Sequence, residues 1–367
     1  MKTKRLIAIH LPQFHPFKEN DEWWGKGFTE WTNVTKARPR FKNHYQPHLP
    51  ADTGFYDLRL PEARQMQVDL AREYGIYGFC YYHYWFNGKQ LMERPVNDIL
   101  KLGEPDFPFM LCWANENWNR AWDGSEGGTT NLIGQNYSEE DDREHIRYLC
   151  KNVFKDKRYI RIDNRPVFAI YRISPIPDPE KSIRTMRDEA RKYGEDLYLC
   201  HFESWGEHGE RYLKYGLDAA IDFQPHLYSY NEIKGKLYSR FIALKDKMRK
   251  YIGKCPTPTV FDYSDYVEHE LNSTIPSYKR FPCVVPCWDN SPRRINQHFW
   301  ALRNSTPALY QHFLLQLLQR FEPFSKDENF VFINAWNEWA EGNHLEPDQK
   351  WGRGYLEATK QATESIE

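Results

Sequence analysis

No stretch of this 367-residue chain offers 18 consecutive apolar residues, so a membrane-spanning helix is not expected. A surplus of charge is missing too. Fifty Lys and Arg face 51 Asp and Glu, a formal net charge of −1, and nothing points to nucleic acid or another strongly charged polymer as partner. After MKTKR, the apolar run LIAIHL is too short for the core of a secretion signal. The expected location is therefore cytoplasmic, or periplasmic had a leader been removed. Several chemical signatures are also lacking. There is no HExxH for a zinc hydrolase, no G-x-S-x-G nucleophile elbow, and no G-x-G-x-x-G or P-loop after any strand-like run. Cysteines are few and odd in number: Cys80, Cys112, Cys150, Cys200, Cys255, Cys283 and Cys287. They lie scattered in apolar runs, and the pair in CVVPC has no second pair, so buried reduced thiols are expected and neither disulfides nor a metal site. No cofactor is expected, and no internal repeat or low-complexity segment occurs.

What the chain has in abundance is aromatic rings: 13 Trp, 24 Tyr and 22 Phe, or 16% of the residues. Many stand beside His, Asn, Glu or Asp. Sugar-binding clefts use that mixture, because a ring face stacks on the apolar C–H face of a sugar while polar groups take its hydroxyls.

Short apolar runs alternate with longer helical patterns. Candidate strands are RLIAIHL from Arg5, YGFCYY from Tyr77, FPFMLCWA from Phe107, RPVFAIY from Arg165, LYLCHF from Leu197, DAAIDF from Asp218, CVVPCW from Cys283 and NFVFINAW from Asn329. Near-continuous apolar strands are those of a parallel sheet covered on both faces. Helical patterns between them, such as LPEARQMQVDLAREYG and SIRTMRDEARKYG, stop at a basic residue followed by Gly. Eight strands with recurring helices predict a single α/β domain, a (β/α)8 TIM barrel over residues 1–367; a doubly wound sheet is the runner-up. Two long insertions are expected after strands 1 and 6, at about 12–60 and 224–281.

The second insertion contains KGKLYSRFIALKDKMRKYIGK, residues 234–254. Leu237, Phe241, Leu244, Met248 and Ile252 share one helix face there, and eight Lys/Arg with one Asp occupy much of the rest. The expectation is a solvated helix packed on the barrel, with a peripheral contact to membranes or anionic glycolipids as the alternative.

Polar and aromatic residues gather where each strand finishes. The first ends in His10 and Gln13, the second in Tyr82, His83 and Trp85. The third ends in Trp113, Asn115, Glu116 and Trp118, running on to Trp122 and Asp123. Tyr171 and Arg172 end the fourth; His201, Glu203 and Trp205 the fifth; Gln224 and His226 the sixth. WDNSPR, with Trp288 and Asp289, ends the seventh, and Trp336, Asn337, Glu338, Glu341 and His344 end the eighth. In a barrel these ends converge on one cleft. Its carboxylates decide the chemistry, since breaking a glycosidic bond takes an acid for the leaving oxygen and a carboxylate as base or nucleophile opposite. Glu338 leads, with Glu341 as its partner if the chain turns at Ala340 and Gly342; Glu116 is the rival partner.

HLPQFHPFKENDEWWGKGFTEWTNV, GFCYYHYWF, WANENW and AWNEWAEGNHLEP together resemble the WbsX-like proteins, found with O-antigen and capsule biosynthesis and similar to glycoside hydrolase family 99. The resemblance runs from Arg5 to about Ala362. It implies a (β/α)8-barrel, retaining, metal-independent enzyme of the endo-α-mannosidase and mannanase type. The family's two glutamates stand in a Glu-x-x-Glu spacing after the last strand, which NEWAEG matches. Carried over, Glu338 is the base that deprotonates the substrate's own 2-hydroxyl to form a 1,2-anhydro sugar. Glu341 is the acid that protonates the leaving oxygen and then activates water. The implied substrate is an α-linked, mannoside-like bacterial polysaccharide or glycan. The alternatives are a glycosyltransferase of O-antigen, capsule or lipopolysaccharide synthesis, and a non-catalytic carbohydrate-binding barrel.

Overall fold

The computed structural model describes residues 4–119, 131–204, 206–228, 230–251, 257–294 and 297–366. Its frame is a nearly closed barrel of nine parallel segments. In chain order these are β1 (Arg5–His10), β2 (Ile76–Phe86), β3 (Phe109–Trp113), β4 (Arg165–Ile170), β5 (Tyr198–Glu203), β6 (Ala219–Asp222), β7 (Arg280–Phe281), β8 (Cys283–Val284) and β9 (Phe330–Ile333). Around the ring the order is β7-β6-β5-β4-β3-β2-β1-β9-β8. The first and last strands meet in register, Leu6 opposite Val331 and Ala8 opposite Ile333. Every residue of β3 and β9 is buried, so these strands are apolar on both faces, as a barrel lined inside and wrapped outside requires.

The seventh position departs from expectation. CVVPCW reads as one strand, but only Cys283 and Val284 of it join the barrel, and Pro282 parts them from a second short strand just before. Arg280 and Phe281 pair with Ala220 and Ile221 of β6. Cys283 and Val284 pair with Phe332 and Ile333 of β9. Pro282 between them has no N–H to give a ladder, yet its carbonyl accepts from Phe332 N at 2.8 Å. Beyond Pro286 the chain leaves the barrel. Trp288–Asp289 instead pairs antiparallel with Trp300–Arg303, which also pairs with Thr259–Asp262 in a separate three-stranded sheet.

Helices cover the outside where local signals start them. Helices α3 (Pro61–Glu73) and α4 (Arg94–Leu102) carry a proline in the first turn, where its missing N–H costs nothing. Ser138 caps α5 (Glu139–Asn152) by accepting from Asp141 N, and four acids in the first turn suit the positive end of its dipole. Asp178 and Thr306 do the same for α6 (Pro179–Arg191) and α9 (Pro307–Arg320). The six cysteines among the described residues are free and buried, while Cys255 lies outside those residues.

The first insertion folds into two short helices, α1 (Lys18–Trp24) and α2 (Glu30–Lys36), which bring the WWGKGFTEW block over the barrel mouth. The second contains α7 (Tyr230–Tyr251), broken at Gly235 by φ 81° and ψ 169°, and α8 (Tyr263–Asn272). Here the expected packing is reversed. Leu237, Phe241, Leu244 and Met248 turn outward, and the side that meets the molecule carries Ile242 and Asp246 instead. Asp246 accepts from Thr257 N at 2.7 Å, and Lys234 pairs with Asp265, so polar contacts fix the helix. Ile252 lies outside the described residues. Among these residues no helix is long and apolar enough to cross a membrane.

One glycine sets how closely β2 approaches its neighbour. A Cβ on Gly78 would stand 2.7 Å from the Pro108 carbonyl oxygen, which is backbone and cannot swing away. Gly78→Ala is expected to destabilise the protein by about 1–3 kcal/mol. A urea midpoint identical to the parent's would show that the β2 and Pro108 segments move apart freely.

Candidate functional site

Past β9 the chain makes a tight hairpin: Asn337 pairs with His344 and Glu338 with Asn343, with a 3-10 turn at Trp339–Glu341 between. Gly342 closes the turn with φ 55°, and a Cβ there would lie 3.0 Å from Asp289 Cβ and 3.2 Å from its backbone. That turn brings Glu341 back beside Glu338. Three features keep the hairpin rigid. Asn337 works as a splint, its Oδ1 accepting from Leu11 N at 2.7 Å while its Nδ2 donates to Leu11 O at 3.0 Å. Buried Glu346 accepts from Trp336 Nε1 (3.1 Å), Trp339 Nε1 (2.7 Å), Tyr56 Oη (2.8 Å) and Gln67 Nε2 (2.8 Å). Finally, His344 stacks on Trp339 at 3.8 Å between ring centres.

The electrostatic centre is Arg293, from the turn after Trp288–Asp289. Its Nη2 donates to Glu338 Oε2 at 2.9 Å and its Nη1 to Glu341 Oε1 at 2.8 Å. Nε and Nη2 also reach Glu30, the first residue of α2. One buried guanidinium thus stands among three carboxylates. Burial pushes Glu338 well above the usual carboxylate range; Arg293 opposes the shift, and Glu341 and Glu30 add to it. Burial raises Glu341 likewise, against Arg293 and with Glu30. The acids have too little countercharge to ionise together without cost, so the cluster favours keeping a proton.

These groups form one wall of a cavity of about 400 Å³ at the C-terminal ends of the strands. Of the residues expected from the sequence, Gln13, Tyr82, Glu116, Trp118, Tyr171, Arg172, Trp288, Glu338 and Glu341 line it. Trp24, Phe28, Tyr84 and Phe223 extend its aromatic surface. Glu116 is held by Arg172 Nη1 at 2.9 Å; burial raises it and Arg172 opposes.

The remaining expected residues sit elsewhere. Side chains alternate along a strand, so Tyr82 and Tyr84 of β2 face the cavity while His83 and Trp85 point into the layer beneath α5. There His83 meets His145 at 3.0 Å, Trp85 Nε1 donates to Asp141 at 2.9 Å, and Trp113 Nε1 donates to Trp85 O at 3.2 Å. His10 is buried against Gln67 at 3.1 Å. Asn115 splints Arg172, accepting from its N at 2.8 Å and donating to its O at 2.7 Å. His201 is buried beside Tyr212. Glu203 is held down at about 2: burial works against this, but His208, Tyr278, Gly209 N and Arg280 outweigh it. Asp289 accepts from His44 (2.5 Å) and Gln46 (2.7 Å). Trp336, Asn337 and His344 are parts of the hairpin frame. Trp122, Asp123 and Trp205 lie outside the described residues.

Sequence reasoning did not single out Glu30, Arg293 or Tyr84. Each lies inside a segment it did mark, WWGKGFTEW, WDNSPR and the end of the second strand. Tyr84 follows from Tyr82 by the two-residue period, whereas no local pattern pairs Glu30 with Arg293.

A parallel barrel with acids and rings converging beyond the C-terminal ends of its strands places this chain among the (β/α)8-barrel proteins. More narrowly, it belongs to the family described as Glycosyltransferase WbsX, which it matches over residues 6–359. Two proteins of Xanthomonas campestris pv. campestris, from strains B100 and ATCC 33913, both called uncharacterized protein WxcX, are 38% identical over 359 residues. That is 97% of this chain and 49% of theirs, so the chain spans about half the length of the curated relatives it matches. Among solved structures, a glycoside hydrolase-like protein aligns over 99% of this chain and 94% of its own, at TM-score 0.57 and 14% identity. The GH99 endo-α-mannosidase from Bacteroides thetaiotaomicron aligns over 99% and 97%, at TM-score 0.55 and 14% identity. At such identities the likeness is one of fold.

Two outcomes test the electrostatics. Arg293→Met leaves buried acids without their cation and is expected to cost about 3–5 kcal/mol, measured by denaturant unfolding. The second concerns pH. Glu338 sits above its unfolded value, so the folded state keeps a proton that the unfolded chain has released. Raising pH from about 5 to about 8 therefore costs wild-type stability. Glu338→Gln does not titrate, so its Tm relative to wild type should climb across that window. Parallel Tm curves would refute the raised value.

Proposed function

We propose that this protein is a retaining glycoside hydrolase that cleaves an α-linked, mannoside-like bacterial polysaccharide or glycan with Glu338 and Glu341, without a metal. The observation that carries this reading is the acid pair itself. Two glutamates from one hairpin share one guanidinium in a cleft lined with rings. Tyr82, Tyr84, Trp118 and Tyr171 line it, and rings in a cleft wall suit stacking on the apolar faces of sugars.

The roles follow from the resemblance to family 99 and agree with exposure. Glu341 has 21% of its side chain open to the cleft and Glu338 7%, so Glu341 is the better placed to meet both leaving group and water. In the first step Glu338 takes the proton of the substrate's 2-hydroxyl as that oxygen attacks the anomeric carbon. The glycosidic bond breaks, and the leaving oxygen takes a proton from Glu341. In the second, the Glu341 carboxylate takes a proton from water, whose oxygen attacks the anomeric carbon. The bond from that carbon to the 2-oxygen breaks, and Glu338 returns the proton to it. The exchange starts from the form in which the pair's one proton sits on Glu341, and its raised value makes the Glu338 carboxylate a stronger base for the 2-hydroxyl.

A second reading, glycosyl transfer from a sugar nucleotide, is favoured by the family's description. Against it stands the pairing of two of the cleft's three arginines, Arg293 and Arg172, with glutamates, which reduces their pull on a diphosphate.

Digestion of a glycan library with mass-spectrometric readout should release product with no sugar nucleotide added and with EDTA present. Glu338→Gln and Glu341→Gln should each lower turnover by at least about 10²-fold. Inactive Glu116→Gln beside active Glu341→Gln would transfer the acid role to Glu116. Full activity in both hairpin variants, or turnover only with a sugar nucleotide, would overturn the proposal.

A further inference from the structure

Helix α7 presents its apolar residues to solvent. Leu237, Phe241, Leu244, Met248 and Tyr251 are between 61% and 92% exposed, although a helix covering a barrel normally turns such residues inward. At the α-helical step of about 100° per residue they fall in one stripe about 80° wide. Lys245 flanks the stripe on one side, Arg240 and Lys247 on the other, and all three are exposed. Residues 234–254 hold eight Lys/Arg and one Asp in a chain whose formal net charge is −1. The lone acid, Asp246, is turned inward onto Thr257 N, so the outward face is apolar at its centre and basic at its edges.

We propose that this face of α7 docks the protein on the surface of an anionic lipid bilayer. The apolar stripe would lie at the level where headgroups meet acyl chains, with the flanking basic side chains reaching lipid phosphates. The geometry favours this occupant over a second copy of the chain, because packing two such faces together brings like charges into register. It also favours attachment over spanning, since the helix is charged along both flanks. The helix follows β6, so it springs from the end of the barrel that carries the cleft. Docking therefore holds the cleft near the membrane surface whatever reaction the cleft performs.

The test is flotation with phosphatidylcholine vesicles with or without about 30% phosphatidylglycerol. Wild type should float with the anionic vesicles at least about tenfold more than with the neutral ones, and salt should weaken the binding. The double variant Phe241→Glu/Leu244→Glu touches neither cleft nor core, and circular dichroism checks that it folds. It should lose anionic-vesicle binding by at least about tenfold. Wild type that stays unbound, or a double variant that floats equally well, would overturn the proposal. So would a wild-type dimer in sedimentation without lipid that the variant abolishes, which would give this face to self-association.

Discussion

The guanidinium of Arg293 decides how this cleft is built. Glu30 comes from the insertion after the first strand, Arg293 from the turn after the seventh position, and Glu338 with Glu341 from the hairpin after the last. Without a cation among them, three acids in a buried space would repel one another and lose solvation at once. With it, the insertion, the turn and the hairpin are drawn onto one point, and the acids are left with too little countercharge. That imbalance favours a proton held within the cluster. The same contact therefore fixes both the shape of the cleft and its proton inventory.

Much of the aromatic richness serves to build the site and not to line it. Trp336 and Trp339 are tied by their indole nitrogens to Glu346, and Trp85 and Trp113 belong to a layer outside the barrel. The rings left facing the cavity come from alternate positions of strand ends and from the first insertion. Asn337 and Asn115 splint the mouth of the barrel. Each amide bonds both the N–H and the C=O of one residue on a neighbouring segment, extending the ladder by a side chain where strand pairing stops.

The eight-strand frame was legible in the sequence because buried parallel strands are near-continuous apolar runs, and such runs read the same from either end of the chain. Glu338 and Glu341 were legible for the same reason: they directly follow the clearest of those runs. The strand-end residues were harder, since a list of polar residues ignores the two-residue alternation that sends Tyr82 inward and His83 outward. Glu30 and Arg293 were not legible. They lie 263 positions apart, and only the closed barrel brings them together. The outward face of α7 stood only as the alternative expectation, because periodicity shows that a stripe exists and not which way it turns.

Ring closure has a further consequence for how the molecule comes into being. β1 takes β9 as one neighbour, and Leu11 receives its amide splint from Asn337, 326 positions later. Until the end of the chain has been made, one edge of β1 has no partner, and the space beside Glu30 holds neither of the hairpin acids. Contacts of such sequence separation form slowly, because a very long loop must close before they give anything back. The site is thus assembled last, and a chain interrupted before its final strand has most of a barrel and no acid pair. The acid pair and its cation come together in one step, with completion of the fold.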